Sequence, residues 1–515
     1  MTEPTPGATD REALKLGRNI TWSYLAHLAT TCLPLLTVPF YVRLLGHDLY
    51  GQWLVIVSIT SYLGLANLGM GQTLINRIAA AVALNKRDKV AELASTGFFA
   101  YLGIGLLVIS AVGVAAPWVT DSLARASANS ALAAFAIYFG FLVVSFPLRT
   151  FSGALQALER VDLERKINIY WEIVRALTVI GALYAGFRLV AIAAIIGALT
   201  TLSSLNVAAI AMRILPELRP RISYFSRSLL RDLVKPSAAF LGVQIGTTLI
   251  FAVDNIVIGY SLGAAAVTRY AVPFRLTMAA AALFSVGLVA LTPTITANYT
   301  RGQAAVLETG FVFAARLALL YGTVAAVMLW LIGPHFIDLW AGRGVFPGHA
   351  TYALQVLFFL LSLASSVPAT ILWATTRHYA WSALAVFEGI LNLALSLWWV
   401  RHWGLAGVIA ATVTASLLTN AWYLPFAGLR ALGPGARDAA VQLIRPCAIA
   451  LAVLILTFVV WSAIRPASLV QLTLVAALAT FTAVAAFATL VFTREEREAG
   501  RSWILRMVRA GAEAA

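Results

Sequence analysis

Seven ionisable side chains fall inside stretches that are otherwise apolar: Arg149, Glu172, Arg175, Asp254, Arg275, Arg316 and Glu388. An ionised group at the centre of a bilayer costs at least ~2.5–3.5 kcal/mol, so it normally faces an interior and has a role. At about 1.5 Å per helical residue, Asp254 lies roughly 13 Å from a turn at Gly263 and Arg275 roughly 15–18 Å down the next helix. By the same count Arg149, Glu172 and Arg175 lie ~10–15 Å from the inner surface, and Arg316 and Glu388 ~12–15 Å. Glu172 and Arg175 are three apart and share a helix face. Arginine's planar fork suits phosphate because it donates two parallel hydrogen bonds. Buried carboxylates can carry a proton or neutralise an arginine. The competing reading is structural, with Glu172–Arg149, Asp254–Arg275 and Glu388–Arg316 pairing across helices. The amides Asn67, Gln244, Asn392 and Asn420 could meet the hydroxyls of a ligand or bond one helix to another. His27, mid-span, could carry a proton or be a satisfied core residue.

The elements that position these groups follow from the composition. Of 515 residues, 61% are hydrophobic and 11% charged, far from the soluble norm of about half apolar and a quarter charged. Runs of about 20 apolar residues predict fourteen spans: 18–42, 51–75, 93–117, 131–157, 166–187, 189–212, 236–262, 265–294, 308–333, 351–375, 380–400, 404–427, 444–464 and 469–492. With the N-terminus inside, the outer loops hold one arginine each: Arg43, Arg125, Arg188, Arg269, Arg343, Arg401 and Arg465. All five lysines and most remaining arginines fall inside, as the positive-inside rule requires. Trp53, Trp118, Trp340, Trp403 and Trp461 sit near span ends, as interfacial belts do. This places a cytoplasmic segment at 1–17, a six-span half at 18–212, an interfacial linker at 213–235, a second half at 236–427, two additional helices at 428–493 and a cytoplasmic tail at 494–515. On that tail Trp503, Ile504, Met507 and Val508 share a face, which suits a helix lying on an anionic leaflet.

Several classes are excluded. The net charge of +15 is spread among hydrophobic spans, so topology explains it better than nucleic acid. Cys32 and Cys447 both lie in apolar segments and suit small core residues rather than a disulfide or metal site. There is no nucleotide-binding motif. The longest outer loop, 333–350, is too short for a catalytic domain, so no enzyme activity and no cofactor are expected.

The early stretch carries Leu45-Gly46, Tyr50-Gly51, Leu65-Ala66-Asn67-Leu68-Gly69 and Arg77. Later come Asp254-Asn255, Gly259, Leu262-Gly263, Tyr270 and Arg275, then Gly404-Leu405-Ala406-Gly407. In order and spacing these resemble oligosaccharide-repeat-unit (Wzx-type) flippases of the multidrug/oligosaccharidyl-lipid/polysaccharide exporter superfamily. His47-Asp48 departs from the acidic or Pro-Glu pairs common there. The resemblance implies an all-α integral membrane protein of about fourteen transmembrane helices: two six-helix bundles with pseudo-twofold symmetry plus two C-terminal helices. It also implies a bacterial cytoplasmic (inner) membrane location with both termini cytoplasmic. The cargo would be a polyprenyl-pyrophosphate-linked oligosaccharide, an O-antigen or exopolysaccharide repeat unit, moved outward by alternating access. Arg149, Glu172, Arg175, Asp254, Arg275, Arg316, Glu388, Asn67 and Gln244 would line the cavity. The driving force would be the membrane potential or a cation. Besides the lipid-linked oligosaccharide and the bilayer, a polysaccharide polymerase and glycosyltransferases are candidate partners, and nucleic acid is not. Alternatives are a lipid-linked peptidoglycan-precursor flippase and a cation-coupled multidrug exporter of the same superfamily.

Overall fold

The computed structural model describes residues 6–67, 70–124, 129–234, 238–375, 379–464 and 469–498. Among the described residues every regular element is helical. Apolar spans must satisfy their own backbone polar groups where water is absent, which leaves the helix as the local solution. The helices are α1 (Pro6–Phe40), α2 (Gly46–Ser61), α3 (Met70–Ala83), α4 (Arg87–Ala124), α5 (Asn129–Ser145), α6 (Arg149–Ala157), α7 (Val161–Tyr184), α8 (Leu189–Ile214) and α9 (Arg227–Val234). They continue as α10 (Ala238–Leu262), α11 (Ala264–Thr300), α12 (Ala304–Trp340), α13 (His349–Ala374), α14 (Tyr379–Leu418), α15 (Asn420–Ala431), α16 (Ala436–Ile464) and α17 (Leu469–Leu490).

Eleven helical stretches among the described residues are long and apolar enough to cross a membrane. Two of them, Leu25–Leu65 and Ala380–Ala431, each hold two expected crossings. The first reverses at Gly46, which ends a π-helical turn. The second kinks inside α14 at Gly404, whose φ of 56° falls in the left-handed region open to glycine. The charged α7, where the sequence predicts the span 166–187, is not among these eleven.

Two expected boundaries are corrected, and the span 131–157 is matched by one candidate stretch, Ser130–Ala157, that carries an internal turn. The span 51–75 breaks at a 3₁₀ turn, Tyr62–Asn67. The span 131–157 breaks at Phe146–Leu148, between α5 and α6, where Pro147 cannot donate to the helix ladder. That break makes Arg149 the first residue of α6. The outer loop shrinks to 341–348, because α12 continues through Pro334 to Trp340.

Packing divides the chain into two units. The first joins Met1–Ala279, Asp338–Leu354 and His378–Thr419. Its tightest seam lies between α10 and α14 and is made by small residues: a Cβ on Gly246 would stand 2.4 Å from the Ala385 carbonyl carbon, and one on Gly242 2.0 Å from Ser382 Oγ. Small residues let helix backbones approach closely where hydrophobicity gives no drive to associate. The second unit joins Ala280–Ile337, Gln355–Arg377 and Asn420–Ala515. In it, Val327 and Leu331 of α12 form a buried cluster with Leu472 and Ala476 of α17, flanked by Leu454 and Trp461 of α16. The two additional C-terminal helices are therefore anchored on α12.

Candidate functional site

Two groups of polar side chains sit inside the first unit. The first is centred on Asp254, 2% exposed on α10. Its carboxylate accepts hydrogen bonds from the Tyr270 hydroxyl, Asn392 Nδ2 at 3.3 Å and Thr412 Oγ1 at 3.1 Å. Ser396 Oγ donates to Asn392 Oδ1 at 3.3 Å. The Gly263 turn brings Tyr270 of α11 back alongside α10, and the close α10–α14 seam presents Asn392 and Thr412. Among the described residues no arginine or lysine pairs with Asp254. Glu388, one turn before Asn392 on α14, is also buried and has a partner of its own.

The second group is cationic and aromatic. Arg275 of α11 donates to the Tyr50 hydroxyl at 2.9 Å. Tyr50 is stacked on Tyr41, with ring centroids 5.1 Å apart. Tyr41 lies within electrostatic reach of both Arg275 and Arg175, and Tyr138 within reach of Arg175. Trp53 meets Tyr138 edge-on at 5.0 Å. Arg175 Nη1 pairs with Glu172 Oε2 at 2.6 Å on the same face of α7. Among the described residues Arg275 has a neutral hydroxyl, and no carboxylate, as its hydrogen-bond partner. Arg149 lies over the Phe146 ring at 5.0 Å, within reach of Tyr101.

The interhelical pairs weighed from sequence do not form. Glu172 takes Arg175 rather than Arg149, and Asp254 takes three neutral donors rather than Arg275. Arg316 does not meet Glu388. It belongs to the second unit, where Nη1 reaches both carboxylate oxygens of Glu496 at 3.1 and 3.2 Å. Gln244 is exposed on α10, and the side chain of Asn67 lies outside the described residues. Sequence reasoning missed Tyr41, Tyr138 and Thr412 altogether. The available signal was the pair of tyrosines following each Leu-Gly turn: Tyr50 binds Arg275, and Tyr270 binds Asp254.

The two groups are joined by a closed seam on the membrane side reached by the C-terminal end of α1. Thr268 Oγ1 donates to the His47 carbonyl at 2.6 Å, Asn255 Nδ2 to Ser58 Oγ at 3.0 Å, and Arg43 Nη2 to the Leu339 carbonyl at 2.8 Å. Gly51 meets Ala264 backbone to backbone.

Residues 16–298, more than half of the chain, match the family described as polysaccharide biosynthesis protein. The chain belongs to that family. It is 23% identical over 426 residues to the uncharacterized membrane protein EpsK of Bacillus subtilis (strain 168), covering 80% of this chain and 83% of EpsK. Its fold is similar to the lipid II flippase MurJ in an inward closed conformation, with a TM-score of 0.67, 14% identity and coverage of 91% of this chain and 98% of that one. It is also similar to an inward-facing multidrug resistance MATE family transporter of the MOP superfamily, with a TM-score of 0.62, 14% identity and coverage of 81% and 98%. This member of the polysaccharide biosynthesis protein family is therefore an all-helical, multi-pass membrane protein with a MATE- and MurJ-like fold.

Proposed function

We propose that this transporter flips a polyprenyl-pyrophosphate-linked oligosaccharide from the cytoplasmic to the periplasmic leaflet of a bacterial inner membrane, both termini being cytoplasmic. The observation that carries this reading is Arg275, held within the spans by a neutral hydroxyl and therefore free to meet a phosphate. Arg175 and the Tyr41–Tyr50 stack extend it into a surface with guanidinium forks for phosphate and aromatic faces for sugar rings. Glu172 orients Arg175. Asp254 is assigned to coupling through a proton or monovalent cation, because a buried carboxylate with only neutral donors gains most from a positive charge. An outward-moving anionic headgroup would also draw about 2.3 kcal/mol per charge from each 100 mV of an inside-negative potential. The halves at 18–212 and 236–427 would exchange access by opening the seam between α2 and α10–α11.

The test is deletion of the gene. Loss of a surface polysaccharide with lipid-linked repeat units accumulating inside supports the reading. Intact glycans with raised drug sensitivity, or lysis from a peptidoglycan defect, would refute it.

A further inference from the structure

Outside the polar groups of the spans, the first unit carries an open cleft of ≈ 730 Å³ on the side of the N-terminus. One wall is the turn between α3 and α4, Asn85–Lys89 with Glu92, and the other is Ser223–Ser226 of the linker. The linker is strapped onto α4. The Arg221 N–H donates to Ser95 Oγ and the Ser226 N–H to Thr96 Oγ1, each at 3.1 Å. Arg87 bridges to Glu217 at 3.1 Å, and Phe225 sets its ring against Phe99. The cleft is thus built on a rigid helix.

Its chemistry is mixed at the walls and positive around them. Lys89 is taken by Glu92 at 2.8 Å, and Asp88 adds a second carboxylate. Arg87 stays 81% exposed despite Glu217. Around the cleft Arg213, Arg219, Arg221, Arg227 and Arg231 are all exposed. The nearby acid Asp232 is engaged with Arg77. Each wall is preceded in the chain by an exposed apolar residue that forms its rim: Leu84, 64% exposed, before Asn85, and Ile222, 72% exposed, before Ser223. Counting from Leu93, where the apolar run of α4 begins, Lys86–Lys89 lie ~6–10 Å beyond it. That is headgroup depth, since headgroups add roughly 5–8 Å to each side of the hydrocarbon core.

We propose that this cleft binds the headgroup of an anionic phospholipid in the leaflet on the N-terminal side. Lys86 and Arg87 would meet the phosphate, Ser223 and Tyr224 would donate hydroxyls, and Ile222 and Leu84 would rest among the upper acyl carbons. A freely soluble anion would leave that rim exposed to water, whereas a lipid covers it. A choline headgroup would bring a cation into a positive surface.

The test uses the full-length chain in detergent, titrated with dihexanoyl phosphatidylglycerol and with dihexanoyl phosphatidylcholine, binding being read by native mass spectrometry. The wild type should prefer the glycerol headgroup. Lys86→Gln with Arg87→Gln should weaken its binding by about 30-fold, at about fivefold per basic residue near a membrane surface. Arg430→Gln with Arg437→Gln, which removes the same charge from the second unit, should leave the preference intact. Ile222→Ser, which spares every charge, should weaken both lipids and reads the rim should the double variant not fold. Equal binding of the two lipids by the wild type, an unchanged preference in the cleft variant or an equal loss in the distal one overturns the proposal.

Discussion

Gly51 is the position at which the closed seam is most sensitive. An added Cβ would lie 1.8 Å from the carbonyl oxygen of Ala264 and 2.5 Å from its carbonyl carbon. Real contacts never come so close, and the obstacle is backbone at the turn that starts α11, not a side chain able to rotate away. Gly51→Ala must therefore push α2 off α11, straining the neighbouring bonds His47–Thr268 and Tyr50–Arg275. Overpacking a well-filled contact by one methyl costs about 1–3 kcal/mol. That cost falls on the closed arrangement alone, so the closed-to-open ratio should drop about 5- to 150-fold. The assay places a reporter at Thr268→Cys, a fully buried position, and labels it with a maleimide that does not cross the membrane, in vesicles of both orientations. From the side where α1 ends, Gly51→Ala should raise the labelling rate within that range, with the variant present in the membrane at wild-type level. Labelling unchanged by the added methyl would show that the seam is not a gate and that the close approach at Gly51 is plain packing.

Further outcomes follow from the same geometry. Arg275→Ala and Arg175→Ala should each lower glycan export about 10- to 150-fold, the value of a charged hydrogen bond of about 1.5–3 kcal/mol, without lowering the amount of protein in the membrane. Export at wild-type rate in both variants would return these arginines to a packing role. Asp254→Asn keeps an acceptor for Tyr270 or Thr412, so it should fold and yet fail to transport, whereas Asp254→Ala strands three donors at about 1–3 kcal/mol each and should lower membrane yield; transport by the asparagine variant would remove Asp254 from coupling. In the second unit the Arg316 and Glu496 side chains are only 11% and 20% exposed. Glu496→Ala should therefore destabilise by up to about 3–5 kcal/mol, seen as a lower unfolding temperature, and the reversed pair Arg316→Glu with Glu496→Arg should recover part of it. A reversed pair no better than the single variant would deny the clamp.

The order of the helices and the presence of ionisable groups within apolar helices were legible in the chain, because each depends only on where a residue stands along its own helix. Hydrophobicity supplies the spans, and about 1.5 Å per residue supplies the depth. Asp254 and Arg275 fall inside apolar helices, α10 and α11, as that count expects. What they bind was not legible. A bond between helices depends on rotation about each axis and on which helix lies alongside, and neither is a function of linear distance. Asp254 faces Thr412, 158 residues away, because glycines at 242 and 246 draw α10 onto α14. Arg316 left Glu388 for Glu496, 180 residues on, because Val327 and Leu331 anchor α17 against α12 and bring the following turn within reach. The sequence by itself determined a greasy, many-helix membrane protein with charges set within its apolar helices. Only tertiary packing decided which of those charges are paired, which meet neutral partners, and where small residues allow the helices to close.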